Sequence, residues 1–146
     1  MKPCACCSGK LFSTCCGPFL SGKALPKTVK QLMRSRYAAF ALGGYGQYLL
    51  DTWHPDYAPP VSAEDLGSVD SNWLGLEILD ASQQGDSGTV EFCARFLDEH
   101  GMPQTHRENS RFIRIKGRWY YLDALSLEAQ SLEAQSLDMQ NTGIAS

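Results

Sequence analysis

Nothing in these 146 residues is long and apolar enough to span a bilayer. The longest weakly polar run, Tyr37 to Gly46, is broken by Gly43 and Gly44 and falls far short of the roughly 20 apolar residues required. The start, Met1-Lys2-Pro3-Cys4, lacks the apolar stretch of a secretory signal, and the expected address is cytoplasmic. Also missing are a glycine-rich phosphate loop, a nucleophile elbow and an HExxH pair, so no recognisable nucleotide-triphosphate, serine-hydrolase or metalloprotease machinery is present. Cysteine is nearly absent after residue 16: five of the six lie between Cys4 and Cys16, and Cys93 stands alone in an alternating, strand-like run. In a reducing compartment that clustering favours metal binding over disulfides. Charge of one sign is missing from each end. Residues 1–36 carry seven Lys or Arg and no acid, while residues 125–146 carry three acids and no base. Residues 37–100 hold eleven acids against Arg95 alone, so the net charge of -3 hides a basic head, an acidic middle and an acidic tail.

What is there begins with the segment CACCSGKLFSTCC. Cys4 and Cys6, then Cys15 and Cys16 after eight intervening residues, place four thiolates within reach of one tetrahedral divalent ion. Ser8-Gly9-Lys10 supplies turn chemistry for the loop, and Gly17-Pro18 ends the unit. Zinc is the expected metal, with iron the other ion a tetrathiolate set accepts. Four cysteine ligands leave no open position for water or substrate, which makes the site structural and not catalytic. With metal bound the first 36 residues keep about +5 of charge, a surface suited to an acidic protein partner or to RNA phosphate. Phe12 and Phe19 are the only aromatics there to stack on bases, which argues against nucleic acid.

This stretch resembles the SEC-C motif, the short metal-binding module known from the C-terminal tail of the translocase motor SecA. Cys4, Cys6, Cys15 and Cys16 match its ligand positions, and Ser8, Gly9 and Lys10 match the signature between them. Cys7 departs from the pattern, which usually has glycine there; if that glycine serves a positive φ, Cys7 introduces backbone strain. The resemblance implies a protein-interaction role, with an export chaperone or the ribosome as the implied partner.

The rest of the chain reads as α+β. Thr28 is a plausible N-cap, and Val29, Leu32, Met33, Tyr37 and Phe40 then recur at helical spacing up to Gly43-Gly44. A shorter helix is expected over Tyr45 to Thr52, with a helical turn near Ser62. Strands are expected at Trp73 to Ala81, Thr89 to Glu99, Gln104 to Ile115 and Arg118 to Asp123, joined by short turns into a curved antiparallel meander over the helices. Residues 3–124 resemble the YchJ family, which joins an N-terminal SEC-C motif to a cone-like, nuclear transport factor 2-like domain. The resemblance rests on Leu32-Met33-Arg34-Ser35-Arg36-Tyr37-Ala38-Ala39-Phe40, Thr52-Trp53-His54-Pro55, Trp73-Leu74-Gly75-Leu76, Ser110-Arg111-Phe112 and Gly117-Arg118-Trp119-Tyr120-Tyr121-Leu122-Asp123. Many members end in a second SEC-C motif, which this chain lacks. The expected organisation is a zinc knuckle at 1–20, the cone-like domain at 26–124, and a low-complexity, disordered acidic tail at 125–146. In that tail Ser126-Leu-Glu-Ala-Gln repeats from Ser131 and, altered, from Ser136.

Cone folds often enclose a pocket, and the fold's relatives include dehydratases and isomerases. The resemblance therefore allows a second function, a small-molecule-binding protein or enzyme, although fold alone transfers no chemistry. Its candidate pocket residues are His54, His106, Glu108, Arg111, Trp119 and Tyr121, and none is assigned as catalytic. His106 and Glu108 are two apart and share one face of a strand, either as a proton-transfer pair in the pocket or as a polar pair on the outer face. Arg34 and Arg36 are open to two readings, an anion clamp or helix-surface charges. The tryptophans Trp53, Trp73 and Trp119 read most simply as core and rim aromatics.

Overall fold

The long helix begins where its cap chemistry is complete. In the computed structural model, which describes residues 3–68 and 72–129, helix α2 (Val29–Leu42) is capped by Thr28, whose side chain accepts from the Gln31 amide. Gln31 in turn takes the Lys27 N–H at 2.7 Å. The helix stops at Gly43, whose φ of 75° is open to glycine and strained for other residues. Before it come a 3-10 turn at Phe12–Thr14 and the short α1 (Gly17–Leu20); after it come α3 (Gly46–Asp51) and α4 (Ala63–Leu66). Gly46 is where α3 meets α4: a Cβ there would stand 1.7 Å from the Ala63 carbonyl oxygen.

Four strands follow, β1 (Asn72–Gln84), β2 (Ser87–Leu97), β3 (Pro103–Ile115) and β4 (Arg118–Ala129), in the order β1-β2-β3-β4, every pair antiparallel. The expected meander is thus present. Lys116 and Gly117 both have positive φ, the pattern of the tight hairpin turn that matches strand twist. Irregularities at Trp73/Gly75 and Ile78/Asp80 in β1, and at Asn109/Ser110 and Arg111/Phe112 between β3 and β4, bend the sheet around α2. Leu32, Met33 and Tyr37 of the helix pack on Leu76, Val90, Phe92, Ala94, Phe112 and Trp119 of the concave face.

The sheet runs further than the sequence indicates. The last strand, expected to end at Asp123, continues to Ala129, and Ser126 to Ala129 pair with Asn109 to His106. The first residues of the repeat tail are therefore strand; the rest of the tail lies outside the described residues. Glu128 and Ala129 are weak strand formers, but the exposed edge of the thirteen-residue β3 is a template that outweighs propensity. Among the described residues no helix is long and apolar enough to cross a membrane.

Candidate functional site

The N-terminal segment folds back on itself through a Pro3–Leu11 bridge, with the Cys4 N–H donating to the Lys10 carbonyl at 2.8 Å. That reversal brings the sulfurs of Cys4, Cys6, Cys15 and Cys16 within 4.8 Å of one another. Cys6 and Cys15 Sγ lie 3.5 Å apart, and Cys15 and Cys16 Sγ 4.0 Å. A tetrahedron with bonds of about 2.3 Å to a central ion has edges of about 3.8 Å, so the donor set fits a tetrathiolate metal. Electrostatics asks for the same ion. The Cys6 thiol is held down to about 4 by the hydrogen bond from Cys16, with Ser8, Cys4 and Cys15 adding to it against the cost of burial. Cys4 is pushed up by burial, and Cys16 by its bond to Cys6 and then by burial. Four clustered thiols cannot all ionise without a cation among them, and a divalent metal removes that restriction.

The knuckle is not a free arm. Cys4, Cys6 and Cys16 are buried in the same cluster as Leu32 and Met33, and Arg34 donates to the Cys6 carbonyl at 2.9 Å. Ser8 Oγ lies 3.1 Å from Cys15 Sγ and accepts from the Lys10 amide, which orients the ligand loop. Cys7, exposed, has a φ of 66°, one of two positive values among non-glycine residues described. The family's glycine thus sits where left-handed backbone is required, and Cys7 carries the strain that its sequence position implied.

A second cluster lies inside the cone. A cavity of about 220 Å³ is lined by Met33, Arg36, Tyr37 and Phe40 of α2, by Trp53, and by sheet residues that include Trp73, Phe92, His106, Glu108 and Tyr121. The chain from Thr52 to His54 is pinned beside β4: Tyr121 donates its N–H to the Thr52 carbonyl at 2.8 Å, His54 donates to the Tyr121 carbonyl at 2.9 Å, and Trp53 Nε1 donates to the Leu122 carbonyl at 3.1 Å. Glu108 accepts from His106 Nε2 at 3.1 Å, from Tyr121 OH at 3.0 Å and from Ser110 Oγ. Burial opposes its ionisation, but those three donors outweigh it and hold the carboxyl below its usual value. Burial, with Glu108 close by, raises the Tyr121 phenol.

Arg36 is the residue the sequence left undecided. It is 3% exposed, donates from Nη1 to the Leu49 carbonyl and to Thr52 Oγ1, both at 2.7 Å, and lies over the rings of Trp53 and Tyr121 at 4.9 and 4.7 Å. Burial lowers it to about 10, which leaves it a cation at neutral pH. The signal was available: Arg36 follows Leu32 and Met33 by four and three residues, so it falls on the helix's apolar stripe. Arg34 is half-buried and faces the knuckle.

Of the six residues considered for a pocket, the structure brings His106, Glu108 and Tyr121 together on the cavity wall; His54, Arg111 and Trp119 lie elsewhere. The His54 ring meets Tyr57 and Tyr120, and its Nδ1 accepts from the Asp56 amide. Arg111 falls on the other strand parity from His106 and Glu108 and forms a two-pronged pair with Asp123, at 2.7 and 2.8 Å. Trp119 is core, against Val29 and Gly88 at the far end of the sheet, with Arg114 over its ring at 5.0 Å. Trp53 and Trp73, by contrast, line the cavity.

Residues 28–124 match the model of the YchJ middle, nuclear transport factor 2-like domain. The chain belongs to the YchJ family. It is 44% identical over 128 residues to a UPF0225 protein of Sodalis glossinidius, covering 84% of this chain and 82% of that protein. It is 45% identical over 124 residues to one of Deinococcus radiodurans, covering 84% and 88%. Among solved structures, a SEC-C motif containing protein from Rhodopseudomonas palustris superposes with a TM-score of 0.77 at 37% identity, over 86% of this chain and 98% of that one. A sec-c motif containing protein from Psychrobacter arcticus gives 0.69 at 28% identity, over 91% and 84%. For this YchJ-family chain, the knuckle and cone expected from the sequence are both present.

Proposed function

We propose that this protein holds one zinc ion at Cys4, Cys6, Cys15 and Cys16, and that the metal-stiffened knuckle docks an acidic segment of a protein partner in the cytoplasm. The observation that carries this reading is the surface beside the sulfurs. A groove of about 320 Å³ between the knuckle and α2 is lined by Lys10, Lys30 and Arg34 together with Ser8, Thr14, Gln31 and Phe19, and among the described residues no carboxylate lines it. Closed coordination fixes the groove's shape, and its charge selects an anionic partner. An export chaperone or the ribosome remains the partner class that the SEC-C resemblance suggests. The test is affinity capture with wild type, with Cys15→Ser/Cys16→Ser and with Lys10→Glu/Lys30→Glu. Metal should disappear from the first variant only, and the partner from both. A partner retained by the charge-reversed protein would overturn the docking surface while leaving the metal centre intact.

A second reading is favoured by the cone cavity, in which a buried cation and a hydrogen-bonded carboxylate converge on an aromatic-lined space. That combination is what a small-molecule site requires.

A further inference from the structure

Resting on the second reading, we propose that the cone cavity binds a small aromatic carboxylate, its acid group held side-on by Arg36 and its ring packed among Tyr37, Trp53, Trp73 and Phe92.

The argument is a count of unmet hydrogen bonds. Among the described residues Glu108 is the only carboxylate on the cavity wall, and it already accepts three hydrogen bonds, one from His106 to Oε1 and those from Ser110 and Tyr121 to Oε2. Arg36 is the opposite case. Both of its hydrogen bonds to the described residues leave from Nη1, and Nε and Nη2 make none among them. Trp119 Nε1 is the one fully covered polar side-chain atom without a partner among the described residues. The two idle guanidinium nitrogens therefore keep access to open space, and the space that Arg36 lines is the cavity. The cavity is left with donors in excess, and it needs an acceptor.

Geometry narrows the acceptor. Nε and Nη2 form the edge of the guanidinium whose two parallel N–H bonds match the two oxygens of a carboxylate. The same chain shows the match elsewhere, where Arg111 uses Nε and Nη2 to hold the two oxygens of Asp123. Size narrows it further. Benzene fills an apolar cavity of about 150 Å³, so about 220 Å³ accommodates one ring with a short acidic substituent. A quaternary ammonium, the other guest of aromatic boxes, would meet the buried Arg36 cation on the same wall, and two of the rings, Trp53 and Tyr121, already face that cation. Glu108 stays an anion on the same wall, with His106, Ser110 and Tyr121 as its hydrogen-bond partners in place of the guest.

Calorimetry and tryptophan fluorescence on the full chain, with its metal retained, test this using benzoate, benzamide and benzylamine as probes. Benzoate should bind about tenfold or more tightly than the other two, and the Arg36 Nε–H resonance should move downfield on titration. That resonance is read on wild type, so the test needs no substitution of a buried residue. Benzamide or benzylamine binding as well as benzoate, or an Arg36 resonance that does not move, overturns the carboxylate assignment and leaves the small-molecule reading standing. No saturable binding by any of the three overturns both.

Discussion

The two polar clusters of this molecule are completed to different degrees. In the knuckle the four sulfurs lie within 4.8 Å of one another, and the set is closed, since four thiolates complete one tetrahedral ion. In the cavity the acid already accepts three hydrogen bonds while the base keeps an unused edge. Closed sets organise structure, as tetrathiolate metal sites do. Open sets bind, because a buried donor without an acceptor is costly until one arrives. On the proposed readings the knuckle serves architecture and surface, and the cavity serves a ligand.

The strongest way to break this contrast is to remove a sulfur. Cys6 is fully buried, so Cys6→Ser should reduce bound metal from about one per chain to near zero. It should also lower the melting temperature by roughly 10 °C or more, because metal binding energy is folding energy for such modules. Retained metal in elemental analysis would mean that the set is not closed. Next comes Arg36→Ala, which removes two hydrogen bonds and two ring contacts from a buried site. A loss of about 2–4 kcal/mol in chemical denaturation is expected, with metal content unchanged. Glu108→Gln should cost about 1–2 kcal/mol at neutral pH. The folded carboxyl is held below its unfolded value, so its contribution is fully present above about pH 4.3 and is lost as pH falls through the folded value. Wild type and variant should therefore converge in acid; a gap that stays constant down to pH 2 would mean that the charge of Glu108 contributes nothing. The smallest effect is Cys7→Gly, which relieves a left-handed φ of 66°. It should stabilise by about 1 kcal/mol and leave metal binding untouched.

Legibility in the sequence followed from distance along the chain. The four ligands sit within residues 4–16, so their spacing alone states the geometry, and the family's glycine position foretold the backbone of Cys7. The cavity is drawn from Met33 to Tyr121, and only fragments of it were visible. His106 and Glu108 were paired correctly because strand alternation is local. The same alternation separates Arg111 from them, since an odd offset turns a side chain to the opposite face. Trp119 shares the concave face, but register places it at the Gly88 end, where the core is filled. Whether Arg36 was a surface charge or a buried cation depended on what covered the helix stripe. Pairing from four strands and the segment at Thr52 decides that, and no window of the sequence contains it.

The pairing of Ser126 to Ala129 with Asn109 to His106 bears on where this chain can be cut. A protein trimmed at residue 124, where the family match ends, would leave the outer half of β3 with a free row of amides and carbonyls. Such an unpaired border is a template for a second copy of the chain. It would also lie along the strand that carries His106 and Glu108. The first repeat of the tail therefore carries the sheet's open border one strand outward, away from the strand that bears His106 and Glu108.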